Sequence, residues 1–178
     1  MNRYKNITLF LVKFFGTYLL LFLFYAFYIS KAQQRENIFK SSSLTENVAN
    51  QTVTILNFFG YNAQSLQHDK EMSVKLLIDD VYTARVIEGC NSVSIIILFI
   101  AFIIAFPGSR KATILYVFAG SLIIYIINIL RIAFLTIMLY KYPGEQELLH
   151  NLVFPGIIYG TTFLLWIVWV QKFSNYKK

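Results

Sequence analysis

Four long blocks of apolar residues constrain the fold of this chain more than any other feature. They cover about residues 7–29, 91–106, 112–140 and 152–170. A helix needs about 20 residues to cross the hydrocarbon layer of a bilayer, and the third block is long enough to tilt or to project beyond it. The chain is also 57% hydrophobic and only 14% charged, which is atypical of a soluble domain. We therefore predict an all-α membrane protein, a single integral-membrane domain over residues 1–178 with four transmembrane helices.

The basic residues near the block ends predict the orientation. They precede the first block, separate the second from the third and follow the fourth: Arg3, Lys5, Arg110, Lys111, Lys172, Lys177 and Lys178. Because cytoplasmic loops are enriched in Lys and Arg, both termini are predicted to be cytoplasmic and residues 30–89 extracytoplasmic. This pattern and a mildly basic outer segment account for the net charge of +7, so the bilayer is the expected partner and nucleic acid is not.

The first block has an alternative interpretation as a cleaved signal peptide. Ser30-Lys31-Ala32 weakly resembles a small-x-small cleavage site. The apolar stretch is longer than a usual signal-peptide core, which favours a retained helix. Residues 30–89 would be extracytoplasmic in either case.

The extracytoplasmic segment contains one helical pattern. Ser43-Leu44-Thr45-Glu46 fits a capping box and predicts a helix start. Apolar residues then recur at helical spacing as far as Gly60: Leu44, Val48, Ile55, Leu56 and Phe59. The pattern predicts an amphipathic helix, which either lies against the outer leaflet or packs on the other helices.

A strand pattern follows the polar stretch from Asn62 to Lys70. Val74, Leu76 and Ile78 alternate with more polar positions, and residues 81–87 are rich in β-branched side chains. Asp79-Asp80 between them can form a turn, so a β-hairpin is possible.

Cys90, the only cysteine, lies at the start of the second block. A lone cysteine in such a place is commonly a small apolar residue. Here it lies in a polar cluster with Glu88 and Asn91, at a helix start whose free N–H groups favour a thiolate. Arg85, just before it, is either a further cation of the site or a hairpin residue facing water.

Arg131 interrupts the third apolar block, where a charge is costly. Nineteen residues separate it from Ala112, so it lies about 28 Å along the helix, near the outer boundary and on the side of Cys90. Asn128 shares its helical face and could orient it. The alternative is an arginine that extends to the outer headgroups.

His150 precedes the fourth block and also lies at the outer boundary. A thiol, a proton carrier and a cation at one membrane depth are the groups needed for nucleophilic acyl transfer. His68, in the polar stretch, is interpreted as a surface residue. No metal-ligand spacing or phosphate loop is present, so no cofactor is expected.

These motifs resemble the exosortase/archaeosortase family of membrane transpeptidases, in particular the small exosortase F type. The matching pieces are residues 88–92 at a helix start, residues 128–131 late in the next helix, and His150 followed by Gly156 and Gly160. The family commonly has Ser-Gly after the cysteine, whereas Asn91-Ser92 follows it here.

The resemblance implies a catalytic Cys90, an Arg131 that stabilises the thiolate or the oxyanion, and a His150 that acts as general acid and base. It also implies substrates: exported proteins with C-terminal sorting signals made of a short motif, a transmembrane helix and a basic cluster. They would be cut at the outer face of the cytoplasmic membrane and passed to an acceptor that the sequence does not identify.

Two other functions are compatible with a small membrane protein. A non-catalytic scaffold would use the outer helix and hairpin to stabilise a partner, with Leu56 and Phe59 as contact residues. A transporter is disfavoured, since the polar residues gather at one face and form no chain across the middle.

Overall fold

The computed structural model describes residues 2–34, 41–145 and 153–174. These residues form five α-helices, three strands and three short helical turns. The helices are α1 (Asn2–Gln34), α2 (Ser43–Phe58), α3 (Val93–Ala105), α4 (Arg110–Lys141) and α5 (Phe154–Val168). The strands are β1 (Ala63–Gln67), β2 (Ser73–Ile78) and β3 (Val81–Ile87), and the turns are Glu88–Cys90, Pro143–Glu145 and Trp169–Phe173.

Three of the described helical segments are long and apolar enough to cross a membrane, so the chain is a multi-pass membrane protein. They are Tyr4–Lys31, Arg110–Lys141 and Pro155–Phe173. Helix α3 is also strongly apolar but has 13 residues, which extend over about 20 Å. The fourth span therefore stays a prediction.

Aromatic packing joins the helices. The ring of Phe10 in α1 lies 4.8 Å from that of Phe106 at the end of α3, and Phe102 stacks on Trp166 of α5 at 4.2 Å. Helix α4 approaches α3 closely at Gly120, where an added Cβ would lie 2.3 Å from the ring of Phe99. This crossing therefore requires glycine.

The early part of α1, the α3–α4 link and the end of α5 lie at one end of the helical bundle. The Phe10–Phe106 contact brings the early turns of α1 to the end of α3. Ser174, just past α5, donates to the carbonyl of Pro107 at 3.3 Å in that link. This common end is what the predicted orientation requires, and the side of the membrane that it faces stays a prediction.

The strands form an antiparallel sheet in the order β1-β2-β3, so the fold is mostly helical, as predicted, but includes a small sheet and is not all-α. The possible hairpin is present as β2 and β3. Asp79 and Asp80 connect them with φ angles of 50° and 61°, the left-handed conformation of a tight two-residue turn. Strand β1 lay in the stretch interpreted only as polar, because its sequence Ala-Gln-Ser-Leu-Gln has no strong strand pattern.

Helix α2 begins one residue earlier than the predicted capping box, since Ser42 is the N-cap and accepts from the Thr45 N–H. Val48, Ala49 and Leu56 are buried against the sheet and α4. Of the two alternatives for this helix, the structure therefore has it packed on the rest of the protein.

The second half of α4 completes the core that α2 and the sheet form. Ile129 and Ile132 pack with residues of α2 and the sheet, and Ala133 packs with Leu56 and Ile78. The long third block, which forms α4, therefore packs in two places. Its first half packs among the helices, and its second half packs against α2 and the sheet.

Candidate active site

Cys90 lies at the junction between the sheet and the helical bundle. It ends the turn Glu88–Cys90, which continues β3, and α3 begins three residues later at Val93. The side chain of Asn91 accepts from the Val93 N–H at 3.1 Å and closes this junction. Cys90 is partly buried. The chain thus changes from strand to helix within a few residues, and this junction places the thiol beside α4.

Two side chains of α4 interact with the cysteine. The amide of Asn128 donates to the backbone carbonyl of Cys90 at 2.7 Å. The guanidinium of Arg131, one turn later, interacts electrostatically with the Cys90 thiol, and the two residues line the same cavity. The i, i+3 spacing places both groups on the same helical face, as the sequence indicated. Asn128 therefore fixes the backbone of the cysteine, and Arg131 supplies a positive charge beside its sulfur.

A cavity of about 760 Å³ opens beside these groups. Cys90, Asn128 and Arg131 all line it, and β3 contributes the consecutive residues 82–87. Ile158 and Tyr159 of α5 contribute to its lining as well. The thiol and the cation therefore face a space large enough for a peptide segment.

Tyr159 and Arg85 are cavity residues that the sequence indicated poorly or not at all. Tyr159 interacts electrostatically with Arg131. Its only sequence signal is its place one turn after Pro155, on the helix that starts near the predicted site. Arg85 lines the cavity from β3 and forms an ion pair with Glu71.

Glu88 contributes to α2, not to the cavity lining found among the described residues. Its carboxylate accepts from the Ser42 N–H at 2.5 Å, from the Ser42 hydroxyl at 2.7 Å and from the Thr45 hydroxyl at 2.7 Å. In a capping box the N-cap N–H is bound by a side chain three residues later. Here a distant glutamate takes that role and joins the cysteine turn to α2.

Asn91 connects three parts of the fold. It is 1% exposed and donates to the Tyr25 hydroxyl of α1 at 2.7 Å and to the Thr45 hydroxyl of α2 at 3.3 Å. Its amide thereby holds the residue after the cysteine between two helices. These two hydrogen bonds fix the residue next to Cys90 and so stabilise the position of the cysteine.

His150 lies outside the described residues. The structure thus brings Cys90, Arg131 and Asn128 together at one cavity. Glu88 and Asn91 join the cysteine turn to α1 and α2. The role of His150 stays a prediction.

Ser92 occupies the position at which the family pattern has glycine, two residues after the cysteine. Its φ is 63°, in the left-handed region that favours glycine. Its hydroxyl donates to the Asn91 carbonyl at 2.6 Å, a local bond that can help hold this conformation. The backbone shape that glycine would allow is therefore present here with serine.

Comparison with known proteins supports the resemblance seen in the motifs. The family model described as transmembrane exosortase matches residues 7–169. Comparisons with curated proteins and with solved structures gave no significant match. The matched residues include Cys90, Asn128, Arg131 and His150.

Proposed function

Since this chain belongs to the transmembrane exosortase family, we propose that it is a membrane cysteine transpeptidase or peptidase that processes C-terminal sorting signals of exported proteins. The observation that carries the proposal is that Cys90 and Arg131 line one cavity, where the guanidinium interacts electrostatically with the thiol. A cation beside the sulfur favours the thiolate, which is the nucleophilic form of cysteine. The assignment to the small exosortase F type is part of the proposal and depends on the motifs alone.

In the proposed first step, the Cys90 thiolate attacks the carbonyl carbon of the scissile peptide bond. The carbon–sulfur bond forms, and negative charge develops on the carbonyl oxygen, where the Arg131 guanidinium can stabilise it. The carbon–nitrogen bond then breaks, and His150 donates the proton that the departing amine needs. The products are a thioester on Cys90 and a released C-terminal helix.

In the second step, an acceptor amine, another nucleophile or water attacks the thioester. His150 accepts the proton of the nucleophile, the carbon–sulfur bond breaks and the thiolate is regenerated. Transfer to an amine makes the protein a transpeptidase, and transfer to water makes it a peptidase.

The proposed location is the outer face of the cytoplasmic membrane. Arg131 lies about 32 Å along α4 from its first residue, close to the full thickness of the hydrocarbon layer. A substrate helix that crosses the bilayer would have its outer end at this depth.

Comparing wild-type, Cys90→Ala and Cys90→Ser strains at matched expression tests the proposal. The measurement is the molecular weight and surface display of secreted proteins that carry a C-terminal helix and basic cluster. We expect both variants to accumulate unprocessed, membrane-retained precursors at unchanged abundance of the enzyme. Equal processing in all strains would exclude catalysis at Cys90.

The scaffold alternative retains one supporting observation, a pair of exposed aromatic residues at the end of α2. Phe58 is 85% exposed and Phe59 is 62% exposed, whereas Leu56 is fully buried and cannot contact a partner. Under this alternative a Phe58→Ser, Phe59→Ser double variant would reduce the abundance of a partner, and Cys90→Ala would have no effect.

A further inference from the structure

Strand β3 is an edge strand that leads directly to the cysteine. In the part of the chain that the structure describes, the sheet order β1-β2-β3 gives β3 one strand neighbour, β2. Strand β3 ends at Ile87, and the turn that ends at Cys90 follows at once. Any peptide paired with the open edge of β3 would therefore reach the thiol at one end.

The cavity follows this open edge. Six consecutive residues, 82–87, line it. Side chains of a strand alternate between its two faces, so a cavity above one face would be lined by every second residue. Ala84 and Val86 are also buried in the core behind the strand. Because consecutive residues of β3 line the cavity, the cavity runs along the open edge of the strand and not above one of its faces.

The hydrogen bonds between β1 and β2 establish which backbone groups of β2 face β3. His68 N–H donates to the Ser73 carbonyl at 2.9 Å, and Asp79 N–H donates to the Asn62 carbonyl at 2.9 Å. In an antiparallel sheet, successive residues direct their backbone groups to opposite sides. Since Ser73, the first residue of β2, and Asp79, just beyond its end, face β1, Val74 and Leu76 face β3.

The register then identifies the backbone groups at the open edge. Val74 pairs with Val86, and Leu76 pairs with Ala84. The backbone groups of Val86 and Ala84 are therefore directed to β2. Those of Arg85, and the N–H of Ile87, are directed away from it, on the side of the cavity that Cys90 lines.

We infer that the open edge of β3 binds the extended segment of a sorting signal just before its scissile bond, as a fourth strand of the sheet. The inference rests on the proposed function and names how its substrate is held. An extended peptide can satisfy the outward N–H and C=O groups of Arg85 and the outward N–H of Ile87, whereas a helix has used its own groups internally. The carbonyl of Ile87 is used by the turn Glu88–Cys90, for which Ile87 is the N-cap. A β-bulge at Thr83 interrupts the register with β2, so the regular part of this edge is residues 84–87, about 13 Å of extended chain.

This mode of binding has a consequence for specificity. Main-chain hydrogen bonds provide affinity whatever the side chains are, and selectivity comes from alternate side chains of the added strand. The segment before the scissile bond should therefore tolerate substitution at every second position. Proline should be excluded where its missing N–H faces the edge.

Disulfide cross-linking tests the inference in a background without cysteine. Because Cys90 is the only cysteine, Cys90→Ala provides that background. Ile87→Cys is added at the proposed edge, and Leu66→Cys is added in β1, at the opposite edge of the same sheet. The two positions form a matched pair, because Ile87 is 43% exposed and Leu66 is 51% exposed.

The probe is the C-terminal tail of a precursor that accumulates in Cys90→Ala cells, made with one cysteine moved residue by residue through the segment before its helix. We expect Ile87→Cys to form disulfides that alternate with a period of two, at yields at least about fivefold above those of Leu66→Cys. N-methylation of a tail amide that faces the edge should lower the yield about fivefold, and N-methylation of the next amide should not.

Equal yields from both edges, or yields without alternation, would overturn the inference while the processing defect of Cys90→Ala still supported the proposed function. If no precursor accumulates in Cys90→Ala cells, the proposed function fails and binding of a sorting signal at β3 fails with it.

Discussion

The side-chain amide of Asn128 donates a 2.7 Å hydrogen bond to the backbone carbonyl of Cys90. Asn128 is 1% exposed, and its bond joins the middle of α4 to the turn that carries the thiol. The same helical face presents Arg131 one turn later. One helix therefore controls both the position of the cysteine and the charge beside it.

Replacing Asn128 should affect processing more than folding. Asn128→Asp keeps the shape but loses the N–H donor, so the cysteine turn loses its link to α4. We expect the processing rate to fall about tenfold, equivalent to about 1.4 kcal/mol of transition-state free energy. The measurements are the processing rate per folded enzyme and the rate at which Cys90 is alkylated at fixed pH. Ser121→Ala, on the same helix, is the control, and an equal loss in both variants would contradict a positioning role.

Glu88 should stabilise the fold without taking part in the reaction. In Glu88→Gln an amide replaces a carboxylate that accepts three hydrogen bonds at the start of α2. We expect the free energy of unfolding to fall by about 1–3 kcal/mol, with processing per folded enzyme nearly unchanged. Thermal unfolding in detergent measures the first quantity.

Glu46→Gln is the control for this variant, because it removes an exposed carboxylate from the first turn of the same helix. Its effect should stay below about 1 kcal/mol, the usual range for a charge near a helix dipole. Similar melting temperatures for the two variants would show that the bonds of Glu88 to Ser42 and Thr45 contribute little.

Gly120 should be required by the close approach of α3 and α4. An added methyl group would lie 2.3 Å from the ring of Phe99, so Gly120→Ala should cost about 1–3 kcal/mol. Gly160→Ala in α5 meets no atom of the described residues within 4 Å and should be neutral or stabilising. Combining Gly120→Ala with Phe99→Leu should recover part of the lost stability. A Gly120→Ala protein as stable as Gly160→Ala would disprove the contact.

Ser92 should accept glycine and reject a β-branched residue. Its φ of 63° favours glycine, and a Cβ in this conformation costs about 1–2 kcal/mol. We expect Ser92→Gly to process substrates normally and Ser92→Val to lose stability and activity. Measuring the abundance and processing of both variants checks this, and equal tolerance of valine would mean that the turn has another conformation.

Much of the local structure followed from the sequence. The apolar blocks predicted the long helices, and the alternation before and after Asp79-Asp80 indicated the hairpin. The spacing of Asn128 and Arg131 predicted their shared face. These features depend on residues near one another in the chain, where the periods of helix and strand directly determine which side chains share a face.

The tertiary structure decided what those elements contact. It directed Glu88 to the start of α2, placed Tyr159 beside Arg131, and paired the polar strand β1 with β2. None of this could be predicted from the sequence, since the rotation of a helix and the partner of a strand depend on packing between distant segments. The sequence by itself predicted a thiol and a cation at one membrane depth, because each position follows from counting residues along a helix. Only the packing of α4 against the cysteine turn placed the two groups at one cavity.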